Sequence, residues 1–170
     1  MTVSSKVNLR SIPSQSVVWH KILTITLAFW LSASLFLDLV VMPSLYASGM
    51  MSQPGFVPAG YGLFWTFNRI ELVCAAVIVT GLLVQQQVSN AKRGGLVLGL
   101  LMFSSALICT YLITPEMGSL GIQLDLFEST IAIPNGMNQL HIGYWLLETI
   151  KFVSGGALLG WYLDRSSEVS

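Results

Sequence analysis

Four apolar stretches dominate this sequence: Ile22 to Met42, Leu63 to Val84, Leu96 to Thr114 and Ile142 to Leu163. Each approaches the ~20 residues that a helix rising ~1.5 Å per residue needs to cross a hydrocarbon core of ~30 Å. Breakers or polar groups bound them: Lys21 and Pro43, Tyr61-Gly62 and Gln85, Gly94-Gly95 and Pro115, His141 and Asp164. Only 9% of the 170 residues are charged, against the ~25% of a soluble domain. With a mean hydropathy of +0.71, the expected class is an all-α, polytopic membrane protein with a bundle of four transmembrane helices. Eight basic residues balance eight acidic ones, which leaves no surplus for nucleic acid. The partners expected are the lipid bilayer and a membrane-protein complex or a second copy of the chain.

Basic residues outside the apolar runs set the orientation. Lys6, Arg10 and Lys21 precede the first run, Lys92 and Arg93 separate the second from the third, and Arg165 follows the fourth. Cytoplasmic loops retain Lys and Arg, so both termini are expected in the cytoplasm and the loops Pro43 to Gly62 and Pro115 to His141 outside. The organisation expected is a polar segment over 1–18, a transmembrane domain over 19–164 and a short tail over 165–170. The first run is too long for a cleaved secretory core, which predicts an uncleaved signal anchor. In the second outer loop, Ile122 to Ile133 alternates apolar and polar residues as an interfacial helix or a bundle cap would. Pro134-Asn135-Gly136 reads as a turn, and Asn138 as the N-cap of the last helix.

Charge inside the runs is the unusual feature. Asp38 lies in the first, Asn68, Arg69 and Glu71 in the second, and Glu148 and Lys151 in the fourth. An ionised residue at a helix centre costs ~2.5–3.5 kcal/mol on insertion scales, and each Leu, Ile, Phe or Val returns ~0.3–0.6. The second run has twelve such apolar residues, worth ~4–7 kcal/mol, against ~5–7 for Arg69 with Glu71. Marginal insertion of this kind requires neighbours that take up the charge. With alternating helix directions, Asp38, Arg69, Glu71 and Glu148 all fall in the outer half and Lys151 near the middle. Met137, His141, Tyr144, Glu148, Lys151 and Gly155 recur at spacings of four and three, which lines them along one face of the last helix. The expected polar network is therefore Asp38, Asn68, Glu71, Tyr144, Glu148 and Lys151, with Arg69 either completing it or snorkelling outward.

Other constellations are thin. His20 and His141 fall at opposite ends of the bundle, so they cannot share a haem. No metal site is expected, the weaker candidates being Met137 and His141 among outer-face methionines. Cys74 and Cys109 stand alone in separate runs and read as small apolar filler. Gly155, Gly156 and Gly160 suit close helix approach, and Trp30, Trp65, Trp145 and Trp161 read as bundle or interface aromatics. No cofactor and no enzymatic motif is expected.

The runs "FWLSASLFLDLVVMPSLY" from Phe29, "GLFWTFNRIELV", "TYLITPEM" and "LHIGYWLLETIKFVSGGALLGWYL" resemble a family of small four-helix membrane proteins of unassigned activity, known chiefly from cyanobacteria. That resemblance covers nearly all of the chain from about residue 17 and implies a bacterial plasma-membrane or thylakoid, multi-pass location. His20, Trp30 and Pro43 give a fainter likeness to the copper-resistance protein D group and the HemJ-type protoporphyrinogen oxidases. The Trp-to-Pro spacing is longer here and a second matching His is missing, so no catalytic residue is carried over. The function expected is a non-catalytic accessory, assembly or homeostasis component with a buried charge network. The alternatives are a small transporter or proton-coupled carrier using intramembrane carboxylates and, third, a haem or copper oxidoreductase.

Overall fold

The computed structural model describes residues 15–50, 53, 55–89, 93–127 and 135–167. Lys6, Arg10, Lys92, Pro134 and the segment 128–133 lie outside the described residues. Regular structure among the described residues is helical throughout. Helix α1 covers residues 15–47 as an α-helix Gln15–Phe36, a π-helical turn Leu37–Val41 and an α-helical end Met42–Ala47. Helix α2 is Phe56–Ser89. Helix α3 covers residues 93–127 in the same three parts, Arg93–Ile108, the π turn Cys109–Ile113 and Thr114–Phe127. Helix α4 is Asn135–Ser167.

All four helices overrun the apolar runs, and the prolines explain how. Pro43 and Pro115 were expected to end the first and third runs, yet both helices continue through them. A proline ring clashes with the carbonyl four residues earlier, here Leu39 and Tyr111. Each of those carbonyls lies inside a π turn, whose wider path moves it off the α-helical line. Each proline then occupies the first turn of the continuing α-helix, where no N–H is needed. Helix α1 finally stops where Gly49 takes φ +70°, a left-handed conformation that glycine adopts without strain. Helix α2 begins at Phe56, ahead of the expected Tyr61-Gly62 edge. The backbone of residues 122–127 continues α3, so the stretch from Ile122 is not a separate interfacial helix up to that point. Asn138 lies inside α4, which starts at Asn135, and so does not cap it.

The helices run up and down in sequence and each packs on its chain neighbours, with α4 closing back on α1. One end, here the upper one, gathers the C-termini of α1 and α3 with the N-termini of α2 and α4. Small residues draw the rods together. A Cβ on Gly81 would meet Leu23 and Trp19 of α1, and one on Gly99 would meet Leu82 at 2.5 Å. Gly155 lies equally close to Leu31 and Met102, whereas Gly156 and Gly160 face open space, so only the first of the three serves helix approach.

Polar and apolar residues are arranged the reverse of a water-soluble bundle. Ile25, Val73 and Val153 are 65–69% exposed on the outside, while Ser34, Asn68, Glu71, Glu148, Lys151 and Ser154 are at most 3% exposed inside. Lipid is the solvent that suits such a surface. Three helical stretches, Val17–Ala47, Phe56–Gln87 and Arg93–Gly121, are long and apolar enough to cross a membrane.

Candidate functional site

Along α1 the buried positions Leu23, Leu27, Trp30, Ser34 and Leu37 form one face at alternating spacings of four and three, and Asp38, four past Ser34, continues it. The lower part of this face is hydrocarbon and packs with Ile78, Leu82, Met102 and Leu158. Its upper part is polar and meets the charges of α2 and α4.

Glu71 of α2 is the hub. Its Oε1 accepts hydrogen bonds from Trp30 Nε1 and Ser34 Oγ, both at 2.8 Å, and from Lys151 Nζ at 2.5 Å. Lys151 Nζ also lies 2.7 and 2.6 Å from the two oxygens of Glu148, one turn earlier on α4. The ammonium is 5.9 Å from the Trp30 ring centroid and 5.4 Å from that of Phe152, close enough for cation–π attraction. Lys151 is 2% exposed, Glu71 2% and Glu148 3%, so water is shut out. An ammonium has three protons to donate, and two carboxylates and an indole N–H around it leave few groups unmatched.

Above this cluster the charges continue toward the end of the bundle. Asp38, on the π turn of α1, accepts a hydrogen bond from Tyr144 Oη at 2.7 Å through Oδ1. Asp38 is 6% exposed, and no protein donor reaches its Oδ2. The wide turn matters here, because it re-aims the Asp38 side chain relative to the residues that precede it.

Asp38 lines a cavity of about 560 Å³ set among the upper ends of all four helices. Its walls are aromatic and thioether: Tyr46, Phe56, Tyr61, Phe64 and Trp145, with Met42, Met117 and Met137. Besides Asp38, the polar side chains at its surface are those of Thr114, His141 and Tyr144, together with the hydroxyls of Tyr46 and Tyr61. Gly118 and Gly121 of α3 receive the Tyr61 ring and Val57 of α2, so this seam is closed by direct contact.

The residues expected to form one network thus divide. Glu71, Glu148 and Lys151 are joined, and Asp38 and Tyr144 form a separate hydrogen-bonded pair above them. Asn68 turns instead to α3, where its Nδ2 donates to Thr114 Oγ1 at 2.7 Å. Arg69 is exposed, its guanidinium 3.5 Å from the centroid of the Trp65 ring on the outer surface, and so lies outside the network. Met137 and His141 border the cavity, and His141 Nδ1 is 2.9 Å from the Met137 carbonyl of its own helix. His20 packs against Tyr162, which by helical rise is about 30 Å from the level of His141. Among the described residues no three His, Cys, Asp or Glu side chains cluster as a metal would require. Trp30 was read from sequence as a structural aromatic. Its signal was present, because Trp30, Ser34 and Asp38 fall at successive spacings of four and a fully buried indole N–H needs an acceptor.

No family model, curated protein or solved structure matches the chain.

Proposed function

We propose that all four helices cross a membrane with both termini cytoplasmic, and that the bundle binds a small amphiphilic molecule in the cavity at its outer end. The protein then acts as a non-catalytic binding component, an accessory or homeostasis factor of a bacterial plasma membrane or thylakoid. The observation that carries this reading is the cavity itself. Its volume lies in the range of small-molecule sites, and its apolar walls converge on a few fixed polar groups at the floor. Glu71, Glu148 and Lys151 hold the helices below it in one register, as a buried ion-pair network does. Lys21 and Arg93, at the lower end, support the orientation.

Two measurements test it. N-phenyl-1-naphthylamine is an uncharged hydrophobe that brightens in apolar sites, and the purified chain should bind it saturably. Gly60→Leu should abolish that binding without unfolding, because Gly60 lines the cavity and a Cβ there meets only Phe56 Cε1 at 3.9 Å. Unchanged binding by the variant would sink the assignment. For topology, cysteine introduced at Ser48 in a background of Cys74→Ala and Cys109→Ala should react with an impermeant maleimide on intact cells. Cysteine at Lys21 should react only after lysis, and the opposite pattern would overturn the orientation.

A further inference from the structure

We infer that the cavity receives a lipophilic organic cation, seated on the Asp38 carboxylate in exchange for that carboxyl's own proton. This rests on the cavity reading above and names the charge of its occupant. Three carboxylates, Asp38, Glu71 and Glu148, share this end of the bundle with one buried ammonium, Lys151, which bonds to Glu71 and Glu148. Lys151 is fully engaged by Glu71 and Glu148. The carboxylate outside that ion-pair cluster is Asp38, and it is the one at the cavity surface, 94% buried by its 6% exposure, with Oδ2 lacking a protein donor. In a low-dielectric site that negative charge needs either a proton or a cation. Tyr46, Phe56, Tyr61, Phe64 and Trp145 offer ring faces suited to an alkylated or aromatic cation too bulky and too weakly hydrated to compete in water.

The exchange balances. The occupant brings one positive charge to Asp38, and the proton of the Asp38 carboxyl leaves for water, so the net charge of the site is unchanged. The other titratable or charged groups facing Asp38 are Tyr144, Glu148 and Lys151 on α4, Glu71 on α2 and Cys109 on α3. His141 borders the cavity higher on α4. Glu71 and Glu148 are held by Lys151, and Tyr144 by Asp38 itself. The described cavity lining contains no Lys or Arg that could meet a phosphate, which favours a free monovalent cation over the ammonium of a phospholipid headgroup.

Ethidium, a fluorescent lipophilic cation, and uncharged N-phenyl-1-naphthylamine separate the outcomes on the full chain in nanodiscs. Wild type should bind both, with ethidium affinity rising with pH and about one proton released per cation bound in weak buffer. Asp38→Asn keeps the acceptor for Tyr144 and should lose about tenfold to a hundredfold in ethidium affinity, while its binding of the neutral probe reports an intact cavity. Asp38→Glu should restore part of the loss. Ethidium bound equally by wild type and Asp38→Asn, or bound without proton release, would overturn the exchange. Wild type that takes the neutral probe but not ethidium would overturn the cation alone. Failure of both probes would instead remove the cavity reading on which it rests. Native mass spectrometry showing a phosphatidylethanolamine on wild type and not on Asp38→Asn would reassign the seat to a lipid amine.

Discussion

Met137, His141 and Tyr144 border an open cavity, whereas Glu148, Lys151 and Gly155, continuing the same stripe of α4 at the same spacing, are closed off by the other three helices. The contrast arises from what faces the stripe. Opposite its lower part stand Leu31, Glu71 and Met102, which reach α4, with Trp30 and Ser34 bonded to Glu71 beside them. Opposite its upper part α1 runs through its π turn and its proline, and the seam between α2 and α3 is closed by glycines that contribute no side chain to the centre. One periodic pattern therefore yields a sealed ion cluster and a receptive cavity, and Asp38 stands at the boundary between them.

The sealed half should be the one whose loss unfolds the protein. Lys151→Met leaves Glu71 and Glu148 buried without their counter-charge, and breaking a buried ion pair costs about 3–5 kcal/mol. Thermal unfolding of the purified protein should show a large drop for this variant. Adding Glu71→Gln should recover part of it, since one carboxylate charge is then removed. A Lys151→Met protein as stable as wild type would mean that the cluster is not the fastening point of the bundle.

Trp30→Phe comes next. An aromatic ring remains, though a smaller one, and Glu71 Oε1 loses one of its three donors. A lost partner for a buried charged group corresponds to about 1–3 kcal/mol. The neutral probe should still bind, because Trp30 does not line the cavity.

How much of this was legible in the sequence follows from what each signal measures. Hydropathy located the apolar runs but not the helix ends, because Pro43 and Pro115 read as terminators until the π turns ahead of them are known. Periodicity on α4 placed Tyr144, Glu148 and Lys151 on one face, and that face does carry the cluster. It could not show that the stripe divides into an open and a closed half, which depends on the partners across the bundle. Asn68 and Glu71, three apart on α2, share a face yet contact different helices, Thr114 on α3 for the one and Trp30 and Ser34 on α1 for the other. Pairing across helices is a tertiary property, and a single sequence holds no record of it. Trp30 was missed because tryptophan is common in membrane bundles, and only its complete burial makes its N–H an obligatory donor.

In the open half, Tyr144→Phe removes the donor to Asp38 Oδ1. Asp38 borders the cavity, so water can replace the hydroxyl there, and the stability loss should stay near 0.5–1.5 kcal/mol. Thermal unfolding should place this variant above Trp30→Phe. A loss as large as that of Lys151→Met would show that the upper groups belong to the sealed cluster and would erase the boundary at Asp38.

The smallest effect is expected outside both halves, at Arg69. Its guanidinium stacks on Trp65 at the exposed surface, away from the carboxylates, and an exposed cation–π contact is worth about 0.5–1 kcal/mol. Arg69→Gln should therefore shift thermal unfolding only slightly and leave binding of both ethidium and the neutral probe as in wild type. If Arg69 instead balanced Asp38 from a distance, its removal would strengthen ethidium binding, because one competing positive charge near the cavity would be gone. Unchanged ethidium affinity in Arg69→Gln, set beside the loss in Asp38→Asn, would place the unmatched charge on Asp38 and leave Arg69 to the headgroup surface.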